Sequence, residues 1–443
     1  MDIHCLPAHT LPHTTKLYAN YLTRFRRIAR FYGAAPTLAQ AARTGKKIAL
    51  APEERRRVVE VLREQNRAWG ADAAVATNLD RLGDGAAAVV TGQQVGLLTG
   101  PAYSFYKALT AIRVARELTR RGTQAVPVFW LATEDHDLAE VNHAWWLERE
   151  TLRRFDLGPV GEPGSMVGGI PLGGEAGSIL AQVLASLRGP GRDGVANALH
   201  VALHPEQTLA SCFAQLFTRI LAGHGLILLD PRDGRLQQAA APVFRKVVSN
   251  CAGLTAEVLA RNQTLEKGGF HAQVKVVAGS TPVFLTVNGK RVPLRQQGGR
   301  FTAAEESFSE AELLTHLASH PEDFSGNALL RPVVQDALLP TAAIVAGPAE
   351  IAYFAQAEVL FRAVLGRMPV VLPRAGFTLV EPHVERLLKR YGMTAQEVIT
   401  GGQVRQKMEG AHLTAGMDRQ FAAGEKALRS LLERVRPGVG RTD

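Results

Sequence analysis

Cysteine is scarce in this 443-residue chain, and Cys5, Cys212 and Cys251 lie far apart with no C-x-x-C pair. That argues against a disulfide scaffold and a cysteine-rich zinc site, so no structural metal is expected. It also suits a reducing cytoplasm. Aromatic residues make up only 6%. With no docking motif beside the basic runs, little is offered for stacking on nucleic acid, and no nucleic-acid partner is expected. No stretch reaches 18 uninterrupted apolar residues, which excludes a helical membrane span. The start, MDIHCLPAHTLPHTTK, lacks the basic segment and apolar run of a signal peptide.

Acidic residues are outnumbered, 41 against 51 basic, giving a formal net charge of +10. The densest basic runs, RFRRIAR (24–30) and ERRRVVE (54–60), read as solvated helix faces. Small anionic ligands fit the surplus equally well. The length allows two or three domains, or one large α/β domain with insertions.

Periodicity orders the chain. Residues 1–85 read as mostly helical, with apolar steps of three and four ending at Gly33 and Gly70. The strand AAAVVT follows, then a glycine segment, then a helix from about Pro101 with Phe105, Leu109, Ile112 and Leu118 on one face. The next buried run, AVPVFWLAT, completes a βαβ unit and hence a parallel sheet. GLILLDP, PTAAIVAG and MPVVLPR repeat the buried-strand pattern. Alternation around Asn288-Gly289 predicts an antiparallel hairpin. The organisation read from this is 1–144, N-terminal helices and the first half of the core; 145–203, a first insertion; 204–262, core; 263–310, a hairpin insertion; 311–380, the second half of the core; and 381–443, a helical tail. Pro382 and Gly392 bracket one tail helix. Phe421, Gly424, Leu428, Leu431 and Val435 follow a heptad for only two repeats.

Three segments carry candidate chemistry. In VVTGQQVGLLTGPAY the glycines Gly92, Gly96 and Gly100 fit neither G-x-G-x-x-G nor the phosphate-loop spacing. They do permit close backbone approach, and Gly100 would cap the helix, leaving N–H groups for an anion. Gln93 and Gln94 can orient a sugar hydroxyl or a carboxylate. An ordinary strand-to-helix loop is the plainer reading. At the end of the second strand, Glu134, Asp135, His136 and Asp137 crowd together, which raises carboxylate pKa values. A general base, an ammonium clamp and a metal site are all compatible, the metal least so, and a solvated acidic turn is the alternative. Arg331, Gln335, Asp336, Glu350, Tyr353 and Gln356 sit among apolar residues, either as satisfied core groups or as substrate contacts.

Together VVTGQQVGLLTGPAYSFYK, VPVFWLATEDHDLAEVNH, LLRPVVQDALLPTAAIVAGPAEIAYFAQ and MPVVLPRAGFTLVE resemble the cysteine-adding enzymes of bacillithiol biosynthesis. The resemblance runs from about Leu11 past Phe377. It implies an α/β fold: a Rossmann-like parallel-sheet core on the plan of class I aminoacyl-tRNA synthetases, two insertions and a C-terminal coiled coil that makes a homodimer. SGNALLRP departs from the family's usual Ser-Pro-Asn at that turn. With two heptads here, a monomer or weak dimer is expected.

The implied activity is addition of L-cysteine to glucosaminyl malate. On that reading the Glu134–Asp137 cluster is catalytic. ATP with Mg2+ would activate the carboxylate, held by Gly92, Gly96, Thr99, Gly100 and Lys107. Gln93, Gln94, Tyr103, Arg331, Gln335, Glu350, Tyr353, Gln356 and Arg374 would contact substrate, the two arginines as carboxylate partners. A nucleotidyltransferase on the same fold, needing no cysteine, is one alternative. A basic RNA-binding or scaffold protein, needing neither cluster nor glycines, is the other.

Overall fold

The computed structural model describes residues 3–148, 151–402, 404–412 and 420–430. Contacts divide the chain into two units, Lys16–Gly376 and a smaller one of Met1–Thr15 with Phe377–Asp443.

In the larger unit the strands in chain order are β1 (Ala87–Gln93), β2 (Ala125–Leu131), β3 (His143–Glu148), β4 (Thr151–Asp156) and β5 (Ile227–Leu229). They continue with β6 (Ser280–Val287), β7 (Lys290–Gln297), β8 (Arg300–Ala303), β9 (Glu306–Phe308), β10 (Phe324–Gly326), β11 (Thr341–Ala346) and β12 (Val370–Pro373). Five of them form a parallel sheet in the order β12-β11-β1-β2-β5. All seven residues of β2 and all six of β11 are buried. Such unbroken apolar runs are what a sheet covered on both faces requires. Pro127 is tolerated inside β2 because the ladder to β5 involves only Val128 to Trp130.

A second, antiparallel sheet runs β10-β6-β7-β8-β9. The predicted turn is there: Val287 pairs with Lys290, and Asn288 and Gly289 take φ of 51° and 74°, as a two-residue primed turn demands. The stretch with poor periodicity after Trp145 holds the hairpin β3–β4 and two helices, Glu175–Ser186 and Arg192–Ala202.

Two helical expectations change. The segment ending at Gly33 is a helix only over Lys16–Thr23, followed by two tight turns, Phe25–Arg27 and Ala29–Phe31. On either side of them, Tyr21 donates to the Val371 carbonyl and Tyr32 to that of Ile351, with the two rings 4.7 Å apart. In helix Tyr103–Arg120 the covered face runs through Lys107, Ala108, Ala111, Ala115 and Leu118, while Leu109 is exposed. Alanines let this helix lie close on β1 and β2.

In the smaller unit, helix Pro382–Arg390 starts on its proline, and Gly392 follows with φ of 60°. Phe421 and Leu428 of the heptad are exposed; Leu431 and Val435 lie outside the described residues. No helix among the described residues is long and apolar enough to cross a membrane.

Candidate active site

The chain lays down β1, β2 and β5 in one direction across the sheet, then returns to place β11 and β12 on the other side of β1. Ligands in open α/β sheets bind beyond the carboxyl ends of the strands where the order reverses. A cavity of about 830 Å³ lies there, within the usual range for small-molecule sites. The strand ends supply Gln93, Glu134, Gly347 and Arg374; the antiparallel sheet supplies Phe284, Arg291 and Arg295; two helices supply Arg331, Gln335 and Tyr353.

The acidic turn after β2 is clamped from outside. Val167 donates its N–H to the Asp135 carbonyl at 2.7 Å, and Gly168 donates to that of Thr133 at 3.0 Å. Gly168 is required there, since a Cβ would stand 2.4 Å from that of Thr133. The Thr133 hydroxyl donates to Asp230, itself paired with Arg232. So held, Glu134 is 9% exposed and lines the cavity, with no hydrogen bond or ion pair to a described residue. Burial raises its pKa to about 7, against the pull of Arg291 and Arg331.

Asp135 accepts from the His136 backbone at 2.8 Å and from Gln94 at 3.4 Å. His136 Nδ1 lies 2.9 Å from Arg291 Nη1. A guanidinium only donates, so Nδ1 is the acceptor and the ring proton sits on Nε2. Arg291 is buried, donates to Ser325 Oγ and the Gly326 carbonyl at 2.9 Å each, and stacks 3.8 Å from the Phe284 ring centroid. Sequence reading missed it. β7 buries Arg291 and Leu294, three residues apart, so no period-two alternation marks the arginine as inward-facing. Lys275 and Arg295, also on the cavity, were missed too.

The glycine segment does something other than expected. A Cβ on Gly92 would stand 2.6 Å from the Trp130 carbonyl oxygen, and one on Gly96 2.9 Å from the Gly100 Cα. These glycines are needed for packing within the chain. Leu98, Thr99 and Gly100 take φ of 51°, 73° and 66° in succession. Gly96, Thr99 and Gly100 do not line the cavity. Nor is Gly100 the helix cap. It donates to the Leu97 carbonyl, and the helix starts later, with Ala102 as its N-cap, because the carbonyls of Pro101 and Ala102 close the first turn.

Lys107 is 2% exposed, donates to the Gly92 carbonyl and to Gln93 Oε1, and pairs with Glu350 at 2.7 Å. All three ammonium protons are thereby used. Burial lowers its pKa, and Glu350 opposes that shift.

Glu350 also accepts from the Gly347 N–H, capping its own helix, and Tyr353 bridges it to Arg331. Burial raises the Tyr353 phenol. The Arg374 guanidinium stands 5.4 Å from the Tyr103 ring centroid. Gln356 is fully buried away from the cavity, its amide bonded to both polar atoms of the Val274 backbone and to Asn262. Asp336 is buried against Arg367, its pKa raised by burial to about 6. Asp137 is exposed and does not line the cavity. The fold therefore gathers Gly92, Gln93, Gln94, Tyr103, Lys107, Glu134, Asp135, His136, Arg331, Gln335, Glu350, Tyr353 and Arg374. It leaves aside Gly96, Thr99, Gly100, Asp137 and Gln356.

Among the described residues no group of three His, Cys, Asp or Glu side chains is placed to hold a metal. The family model described as "Bacillithiol biosynthesis BshC, N-terminal Rossmann-like domain" matches residues 1–375. The chain belongs to the BshC family. Every residue lining the cavity falls inside the matched span, and the parallel sheet is its Rossmann-like core. Three relatives carry the name "Putative cysteine ligase BshC". That of Koribacter versatilis is 37% identical over 99% of this chain and 82% of its own length. That of Solibacter usitatus is 39% identical over 90% and 74%, and that of Salinibacter ruber 32% over 99% and 82%. BshC membership gives no support to the nucleotidyltransferase or RNA-binding readings.

Proposed function

We propose that this enzyme joins L-cysteine to glucosaminyl malate through an amide bond, with Glu134 as the base for the sugar amine. The observation that carries the reading is Glu134 itself: buried, open to the cavity and bonded to no described residue, with burial raising its pKa to about 7. A carboxylate poised near the working pH is suited to taking up the proton an ammonium must lose before it attacks. The nitrogen then bonds to the cysteine carboxyl carbon as an oxygen departs with the activating group. Arg331 and Arg374 are the proposed partners of the malyl carboxylates.

Joining carboxylate to amine is uphill in water, and ATP with Mg2+ is the proposed source of activation. The glycine segment does not fit its phosphates, because most of it lies off the cavity and the protons of Lys107 are taken. Incubating the protein with cysteine, glucosaminyl malate and ATP with Mg2+, followed by mass analysis of thiols, tests the reaction. Amide product that rises as pH passes through about 7 is expected; no product with any activated or free cysteine donor sinks the reading.

A further inference from the structure

Buried polar groups in folded proteins are almost always paired, so an open one inside a cavity marks the place of a ligand's polar group. Among the buried polar residues lining this cavity, two have side chains bonded to no described residue: Glu134 and Gln335. Gln335 is only 7% exposed. Neither polar atom of its carboxamide is among those sealed from solvent without a partner, so the amide opens onto the cavity. The other buried or half-buried glutamines there are committed, Gln93 to Gln94 and Lys107, Gln94 to Glu140.

Position follows from the helix. Gln335 comes four residues after Arg331 in helix Arg331–Leu338, which puts the two on one face with Cβ atoms roughly 5–6 Å apart. Arg331 is one of the two guanidinium groups on the cavity whose charge reaches Glu134. Glu134, Arg331 and Gln335 therefore line one cavity, with Gln335 beside the arginine on its helix.

We propose that Gln335 is a specificity residue that binds a hydroxyl vicinal to the acceptor amine, so that the site selects vicinal amino alcohols over simple amines. This rests on the reading of Glu134 as the base for an amino sugar. A carboxamide both donates and accepts, as a hydroxyl does. A carboxylate at 335 would instead compete with Glu134 for the ammonium. A site built to bond a hydroxyl rejects the analogue lacking it, because its own polar group is then left unpaired.

The test compares the amino sugar with its analogue deoxygenated beside the amine, in wild type and in Gln335→Leu. Dissociation constants by calorimetry and kcat/KM for amide formation are both measured. Wild type should prefer the hydroxylated acceptor at least tenfold. Gln335→Leu should bind that acceptor about tenfold more weakly and the deoxy analogue equally well, so the preference collapses. Its melting temperature should not fall, since an apolar group of similar size loses no bond, and KM for cysteine should stay unchanged.

A preference kept in Gln335→Leu overturns the proposal, as does equal weakening for both sugars. Gln335→Met, of matching length, takes its place in the same comparison if the leucine variant does not fold. Should wild type bind both sugars and form no amide, the reaction reading falls while the calorimetric comparison still decides Gln335.

Discussion

The loops that follow the neighbouring strands β1 and β2 leave the same, carboxyl end of the sheet, one rich in glycine and the other in carboxylates. At the end of β1 and in the loop after it, Gly92 and Gly96 are there because other atoms of the chain occupy the space a side chain would need. Lys107, on the helix that follows the loop, is saturated by protein acceptors. In the β2 loop, a carboxylate is buried with no described residue bonded to it. A ligand site is marked by what the fold leaves unpaired, and backbone freedom is a poorer guide. The β1 side acts at one remove, through Lys107 of the following helix, which fixes Glu350 and with it the Tyr353–Arg331 wall.

The largest effect should come from the β2 side. Glu134→Gln should lower kcat/KM for amide formation about a hundred- to ten-thousand-fold. Because the native state holds this proton more tightly than the unfolded chain, ionisation in place costs stability. That cost is absent below about pH 4.5, grows with pH and is complete above about 7, and is worth ~3 kcal/mol. Glu134→Gln should therefore melt above wild type at about pH 8 and together with it at about pH 4. Retained activity would break the contrast.

On the β1 side, Lys107→Met leaves the Glu350 carboxylate and the Gly92 carbonyl without their partner and should cost about 3 kcal/mol in urea denaturation. A variant as stable as wild type that loses affinity for ATP would restore a phosphate role to this lysine. The smallest effect belongs to Gly100→Ala. Its φ of 66° with ψ of −155° is glycine territory, so about 1–2 kcal/mol of stability should go. Substrate dissociation constants should stay put, because the residue does not line the cavity.

The parallel core was legible in the sequence because buried strands read as unbroken apolar runs and Asn-Gly fixes a hairpin. The acidic turn was legible because it follows such a run. Arg291 was not: its role depends on the antiparallel sheet folding back so that it meets His136, 155 residues away in the chain, and no local pattern encodes that docking. The glycines misled for a related reason. Spacing tells that side chains are excluded, but whether by ligand or by protein is decided in three dimensions, as at Gly92 against Trp130. Gln356 looked like Tyr353 on the helix, yet a neighbouring backbone segment satisfies it completely.

The reversal of strand order also bears on how the molecule comes into being. The Thr91 hydroxyl on β1 bonds the Val345 carbonyl on β11, across 254 residues of chain. A polypeptide emerging from its N-terminus completes β1, β2 and β5 long before β11 exists, so one flank of β1 waits with unpaired amides and carbonyls. Such a flank templates unwanted association, and contacts this distant in sequence form late. The cavity needs both β1 and β11, so it is among the last features to appear. Substrates can therefore stabilise the finished enzyme but give no help to the half-made one.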